Sequence, residues 1–81
     1  MRWASFKDLR SGLAAAIRKR RETLDYSQEH VAHEAGLSVR HYAKIESGAG
    51  NPTLQTLHDI ALSLDIDVLT LLKVASRRKP S

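Results

Sequence analysis

Residues 27–46 read SQEHVAHEAGLSVRHYAKIE and contain two short helical patterns separated by one tight turn. Ser27 is a good N-cap for the first helix, and Gly36 supplies the left-handed residue that commonly ends one. Ser38 then caps a second helix. Two helices of about eight residues joined by a short turn that contains glycine are typical of helix-turn-helix geometry, in which the second helix projects outward. The predicted helices are 28–35 and 39–47.

The rest of the chain has the same helical periodicity. A capping-box-like pair, Ser5 and Asp8, precedes the first long pattern, which ends where Asp25 can adopt the left-handed conformation. Residues 48–52 are a loop by composition. The three further helices are predicted over 6–24 after Ser5, from residue 54 after the cap Thr53, and over 68–76 after the cap Asp67. The fold expected is therefore all-α with five helices, spanning residues 6–76, with an extension at 1–5 and a basic, disordered tail at 77–81.

The apolar side chains on each helix form a stripe that is expected to face one shared core. Phe6 is expected to pack in this core and Leu37 to be buried in the turn. For Trp3 three roles stay open, namely capping the core, enlarging a dimer interface, or reaching a ligand as an arm beside Arg2. The other positions expected to face inward are Leu9, Leu13, Ala16, Ile17, Leu24, Val31, Ala32, Ala35, Tyr42, Ile45, Leu54, Leu57, Ala61, Leu64, Ile66, Leu71 and Leu72.

Length and composition narrow the functional classes. A chain of 81 residues holds one small domain, and the absence of cysteine rules out disulfides and cysteine-based zinc sites. No apolar run approaches the ~20 residues that span a bilayer, and no signal peptide is evident, so a cytoplasmic protein without membrane attachment is expected. The net charge of +4 and pI near 9.9 favour an anionic partner.

Three segments of the sequence resemble a known family. The segments SQEHVAHEAGLS (27–38), YAKIESG (42–48) and NPTL (51–54) closely resemble the phage-repressor and Cro-like helix-turn-helix family, also called XRE-type. The resemblance covers roughly residues 13–72. It implies a lambda-repressor-like fold and a protein that binds double-stranded DNA to regulate transcription.

The resemblance also implies roles for individual residues. Exposed positions of the second motif helix read base edges in similar proteins, and Arg40 is suited to this because a guanidinium bonds both O6 and N7 of guanine. The amide of Gln28, with free backbone N–H groups at its helix start, is expected to hold a phosphate. Each of these side chains, taken alone, is also compatible with a solvated surface. The expected base-reading residues are Val39, Arg40, His41 and Lys44, and the expected phosphate contacts are Gln28, Ser38, Arg18 and Asn51.

Further basic and acidic residues have expected structural roles. Arg21 and Glu46 match the family's ion pair between the first helix and the end of the third. Arg18, Lys19 and Arg20 point in directions about 100° apart on one helix, so one or two of them are expected to meet phosphate and the rest water.

The last helix departs from the family at Val68 and Leu69. Similar sequences are usually polar just before Leu71, whereas Leu69 here adds apolar surface beyond what the core needs. We expect a twofold dimer around Val68 and Leu69, which would place two reading helices ~34 Å apart on a near-palindromic operator. The alternative is an isolated surface leucine.

Nothing in the sequence indicates an enzyme, a metal or a cofactor. His30 and His33 share a helix face, but no carboxylate or cysteine set completes a metal site with them. Three functions remain compatible with the residues: an autonomous regulator such as a restriction-modification controller or phage Cro protein, an antitoxin-type regulator with a toxin partner, and a protein-interaction module that has the fold alone. RNA polymerase is a further possible partner of a regulator. Arg40 and Lys44 argue against the third function, because a module that does not bind DNA has no need of a basic reading face.

Overall fold

The computed structural model describes residues 5–76, which form five α-helices and no strand. The predicted all-α, five-helix fold is confirmed. None of the helices in this range is long and apolar enough to cross a membrane. Trp3, Arg2 and the predicted tail at 77–81 lie outside the described residues. The helices are α1 (Phe6–Thr23), α2 (Gln28–Glu34), α3 (Val39–Glu46), α4 (Leu54–Ser63) and α5 (Val68–Ser76).

Each helix begins at the side chain that the sequence predicts as its cap. The first backbone N–H groups of a helix have no partner within the helix, and a hydroxyl or carboxylate oxygen just before it accepts from one of them. The predicted ends lie one residue too far along in the first three helices, because Leu24, Ala35 and Ser47 are C-caps. The cap contacts are Asp8 N to Ser5 Oγ at 3.1 Å, His30 N to Ser27 Oγ at 3.0 Å, His41 N to Ser38 Oγ at 3.1 Å, Thr56 N to Thr53 Oγ1 at 3.1 Å, and Thr70 N to Asp67 Oδ1 at 2.9 Å.

The turns between helices use left-handed residues. Gly36 has φ +72° and Gly48 has φ +85°, as expected of glycines that end α2 and α3. Asp25 has φ +59° after α1, which confirms the predicted left-handed aspartate, and Asp65 has φ +56° after α4. These residues reverse the chain within a few positions and let the short helices surround one core.

The core is aliphatic with one buried tyrosine. α1 packs along α5, α2 packs against α3 and α4, and the inward faces of all five helices meet between them. Tyr42 is fully buried, and its hydroxyl is bonded within the fold. The largest fully buried side chains are Tyr42, Ile17, Ile60, Leu64, Leu71 and Val31.

Three predicted core positions differ from the structure. Phe6 is 58% exposed and Leu54 is 72% exposed, so both predictions are wrong. Each is the first residue of its helix. Helical side chains tilt toward the helix N-terminus, so the side chain of a first residue has no preceding turn of its own helix to lie over. It is therefore not held against the core by such a turn. Phe6 instead lies under the guanidinium of Arg10, 5.7 Å from the ring centroid. Leu37 is half-buried against the core rather than buried.

Candidate nucleic-acid interface

α3 has two faces with different properties. Its inner face consists of Tyr42, Ile45 and Glu46, all buried. Its outer face consists of the four predicted base-reading residues, all of which are exposed. Within residues 5–76 no carboxylate forms a salt bridge with Arg40 or Lys44. The outer face is therefore basic, accessible and carried on a helix whose other side is fixed in the core.

The turn before α3 and the loop after it bring two further predicted residues to the surface. Ser38 is exposed and uses its hydroxyl to cap α3, so a ligand would meet it at the start of that helix. Asn51 is exposed in the loop that follows α3. That loop is held by two backbone bonds to the carbonyl oxygen of Lys44, from Ala49 N at 3.2 Å and Gly50 N at 3.1 Å.

Gly50 fixes how closely the loop approaches α3. A Cβ atom at this position would lie 3.0 Å from both Cα and Cγ1 of Ile45. Because Ile45 is buried in the core, only glycine allows this approach without displacing the helix or the loop. The position of Asn51 therefore depends on the missing side chain of its neighbour.

The three consecutive basic residues of α1 have different environments. The side chain of Arg18 is 65% exposed, and its Nε lies 3.4 Å from Glu22 Oε2. An exposed pair of this kind contributes only ~0.2–1 kcal/mol, so a phosphate can compete for the guanidinium. Lys19 is exposed.

Arg20 has a structural contact that the sequence did not indicate. Its Nε donates to the carbonyl oxygen of Leu64 at 2.9 Å, and its Nη2 donates to that of Asp65 at 3.1 Å. The last turn of α4 contains no basic residue of its own, so this helix end is capped from α1. The lack of a basic residue in this last turn could have indicated that another part of the chain caps it. It could not have identified Arg20 as the residue that does so.

A hydrogen-bonded cluster lies behind the outer face, with the carboxylate of Glu46 at its centre. Glu46 is 7% exposed. Arg21 donates to it twice, from Nε to Oε2 and from Nη2 to Oε1, both at 2.8 Å, and the Tyr42 hydroxyl also donates to Oε2. Arg21 uses Nη1 to bond the carbonyl oxygen of Tyr26 at 2.8 Å. The ion pair thus joins α1, the α1–α2 turn and α3.

Gln28 belongs to the same cluster. Its Nε2 donates to Glu46 Oε1 at 3.1 Å, and the side chain is half-buried at the start of α2. The family resemblance implied a phosphate contact for Gln28 and an ion pair for Glu46, but it did not connect the two residues. Their separation of 18 residues carries no local pattern that could have indicated the bond.

The ionisation of the cluster follows from its contacts. Burial alone would raise the pKa of Glu46, but the hydrogen bonds from Arg21, Tyr42 and Gln28 together with the charge of Arg21 outweigh it and lower that pKa below its ordinary value of 4.5. The hydrogen bond with Glu46 raises the pKa of Arg21. Burial and the hydrogen bond to Glu46 raise the pKa of Tyr42. Glu46 is therefore a carboxylate that only accepts hydrogen bonds, and all its partners are donors.

The two residues of the predicted dimer surface differ in exposure. Leu69 is 68% exposed at the start of α5, whereas Val68 is half-buried and packs against the core. Leu72, one turn after Leu69, lines an apolar groove of about 110 Å³ between α1, the loop, α4 and α5. Within the described range no group of three or more histidine or acidic side chains is arranged to hold a metal ion.

Comparison with known sequences identifies relatives of the same kind. A family model described as Helix-turn-helix, HTH_3, matches residues 17–71. The chain is 36% identical over 52 residues to the cryptic phage CTXphi transcriptional repressor RstR of Vibrio cholerae. That match covers 64% of this chain and 46% of the repressor, which is less than half of the relative's length.

Solved structures of similar proteins share the arrangement of helices. The restriction-modification controller protein C.AhdI from Aeromonas hydrophila has a TM-score of 0.75 at 29% identity, over 82% of this chain and 98% of that one. The hypothetical transcription factor NHTF from Neisseria has a TM-score of 0.75 at 31% identity, over 80% of this chain and 73% of that one. These relatives are named as a controller and a transcription factor, and α2 and α3 lie inside the segment that the family model matches.

Proposed function

The chain belongs to the helix-turn-helix family whose model spans residues 17–71, and from this membership we propose that it is a transcriptional regulator that binds double-stranded DNA in a sequence-dependent way. The observation that carries the proposal is the outer face of α3. A helix whose inner face is fixed by Tyr42, Ile45 and Glu46 presents Arg40 and Lys44 to solvent without salt bridges inside the described range.

In this function α3 lies in the major groove. Arg40 has the fork of donors that matches guanine, Val39 offers an apolar contact for a thymine methyl, and His41 and Lys44 reach a base or a phosphate. Gln28, Ser38, Arg18 and Asn51 bond the sugar-phosphate backbone around the groove and fix the register of the helix. All four base-reading residues are exposed, as this role requires.

The regulator acts as a homodimer in this proposal. Leu69 is a large exposed apolar side chain on α5, and a twofold axis beside it would bury both copies of it. Two reading helices about one helical turn apart would then recognise a near-palindromic operator. Binding to chromosomal or phage DNA places the protein in the cytoplasm.

An autonomous regulator, of the restriction-modification controller or phage repressor kind, is favoured by the likeness to C.AhdI and RstR. An antitoxin-type regulator would need a second surface for a toxin, and an activator would need one for RNA polymerase. Co-purification of a small protein with the chain would favour the antitoxin.

The experiment that tests the proposal is selection of duplexes from a random library by the purified chain, repeated at rising salt. Arg40→Ala is compared with the parent, and Lys7→Ala, which removes an exposed cation outside the proposed interface, is the control. We expect a near-palindromic site with half-site centres ~10–11 base pairs apart, steep loss of affinity with salt, and lost base preference in Arg40→Ala alone.

A chain that enriches no sequence, or an Arg40→Ala variant with the base preference of the parent, would overturn the assignment of α3 as the reading helix. In that case the fold would serve a protein-interaction module.

A further inference from the structure

Gln28 bonds to the carboxylate of Glu46, whose other partners are fixed. Arg21 holds both carboxylate oxygens, and Tyr42, which is fully buried, holds Oε2. The carboxylate therefore cannot rotate, and the remaining lone pair of Oε1 faces the Gln28 amide at 3.1 Å. A series of hydrogen bonds therefore connects Tyr42 in the core, through Glu46, to the half-buried side chain of Gln28.

The charge of Glu46 determines which end of the amide points where. An ionised carboxylate accepts hydrogen bonds and donates none, so only the NH₂ end of the amide can face it. One amide hydrogen is used by Glu46, and the second has no acceptor among residues 5–76. A reversed amide would set its carbonyl oxygen against the carboxylate. The side chain is thus held with a free N–H donor in place, although a glutamine is otherwise among the side chains with most rotamer freedom.

We propose that Glu46 is a positioning residue for the DNA phosphate contact of Gln28, because its bond fixes the amide so that the second N–H is ready to donate to a phosphate oxygen. This inference rests on the proposed DNA-binding function and deepens it. Arg21 neutralises Glu46, so a phosphate approaching Gln28 meets an ion pair and a dipole rather than an isolated negative charge. The Arg21–Glu46 pair then contributes to DNA affinity as well as to the fold.

NMR of the side-chain amides tests the proposal directly, because the chain has only two glutamines, Gln28 and Gln55, and one asparagine, Asn51. Gln55 is exposed on α4 and is the internal control. In the free protein we expect the two Gln28 amide protons to differ, with one shifted and slow to exchange with water, while the Gln55 pair stays at ordinary shifts. Adding the duplex enriched by selection should shift the second Gln28 proton and leave Gln55 unchanged.

A double-mutant cycle on affinity for the same duplex separates positioning from folding. Gln28→Ala in the parent should weaken binding roughly tenfold or more, as expected for a lost bond to a charged group. In a Glu46→Gln background the same change should cost about twofold or less, because an amide at position 46 both donates and accepts and no longer determines which end of the Gln28 amide faces it. Glu46→Gln is used in place of Ala because it keeps the volume and one of the two acceptor oxygens that Arg21 bonds. Each variant is checked for folded NMR dispersion. Gln55→Ala should have no effect in either background.

Three results are distinguishable. A loss upon Gln28→Ala that is equal in both backgrounds would show that Glu46 acts through the fold alone, and would overturn the inference. Full affinity in Gln28→Ala, or a Gln28 amide pair that does not respond to the duplex, would overturn it as well. Failure of the parent chain to bind any duplex would overturn the proposed function itself, whatever the spectrum of the free protein.

Discussion

Arg20 in the last turn of α1 donates from Nε to the carbonyl oxygen of Leu64 at the end of α4, 44 residues along the chain, at a distance of 2.9 Å. Because Nη2 also donates to the carbonyl oxygen of Asp65, one guanidinium bonds two neighbouring carbonyl oxygens of the α4–α5 turn. We expect Arg20→Ala to lower the free energy of unfolding by ~1–3 kcal/mol, since bonds from a charged donor are lost. Urea unfolding followed by circular dichroism measures this.

The neighbouring Arg18→Ala is the matched control. Arg18 pairs with Glu22 on an exposed surface, so its removal should change stability by less than ~1 kcal/mol. The two variants should also differ in DNA binding. Arg18→Ala should reduce the slope of log affinity against log salt concentration by about 1, because one phosphate contact is lost. Equal losses of stability in both variants would show that the Arg20 contact contributes nothing specific.

The difference between these two arginines shows what local sequence can and cannot predict. The five caps were predictable because a hydroxyl or carboxylate bonds an N–H group three residues later, and both groups are visible in one short stretch. Arg20 and the bond from Gln28 to Glu46 were not predictable, because their partners lie 44 and 18 residues away. The core predictions for Phe6 and Leu54 were wrong for a related reason. Periodicity predicts which side of a helix faces the core, but it does not predict whether the first turn of the helix reaches the core.

Asp25 offers a substitution that should stabilise the fold. It has φ +59° after α1, where a side chain with Cβ is disfavoured and glycine is not. We expect Asp25→Gly to raise the free energy of unfolding by ~0.5–1 kcal/mol despite the added freedom of the unfolded chain. Thermal unfolding is a sufficient measurement.

Gly36→Ala is the converse change and serves as the control. Its φ is +72°, and a Cβ atom there meets nothing within 4 Å, so its effect comes from the backbone alone. It should lower stability by ~1–2 kcal/mol. A loss of stability in Asp25→Gly would mean that a contact of the aspartate side chain stabilises the fold by more than the strained backbone conformation at this position destabilises it.

The free energy of unfolding should depend on pH in the acidic range because of Glu46. Its pKa is lower in the folded protein than its ordinary value of 4.5, so the unfolded chain takes up the proton first as the pH falls. The stabilisation is therefore fully present above about pH 4.5 and is lost as the pH falls through the lowered pKa. Urea unfolding between pH 3 and pH 7 should show the difference between the parent and Glu46→Gln shrinking in this acidic range.

Glu34→Gln, which removes an exposed carboxylate from the end of α2, is the comparison. This variant leaves the Glu46 cluster intact and should keep the part of the acid dependence that Glu46 contributes. A constant gap between the parent and Glu46→Gln down to pH 3 would contradict the assignment of Glu46 as the ionised acceptor of the cluster.

The proposed dimer predicts a change of oligomeric state in Leu69→Glu. A charge at the centre of the interface should convert the protein to a monomer in sedimentation equilibrium and weaken operator binding, while the fold remains, because Leu69 is 68% exposed in the single chain. Leu62→Glu, at a leucine that is 57% exposed on α4, is the control and should remain dimeric. Dimerisation that survives Leu69→Glu would move the interface elsewhere.

The division of α3 into a buried and an exposed face has a consequence for how such a protein can change over evolutionary time. Tyr42, Ile45 and Glu46 hold the helix, while the four residues expected to read bases make none of the core contacts. Mutations on the outer face can therefore accumulate with little loss of stability. A duplicated copy could acquire a new operator without passing through an unfolded ancestor, and a designer could exchange the outer residues on an unchanged scaffold.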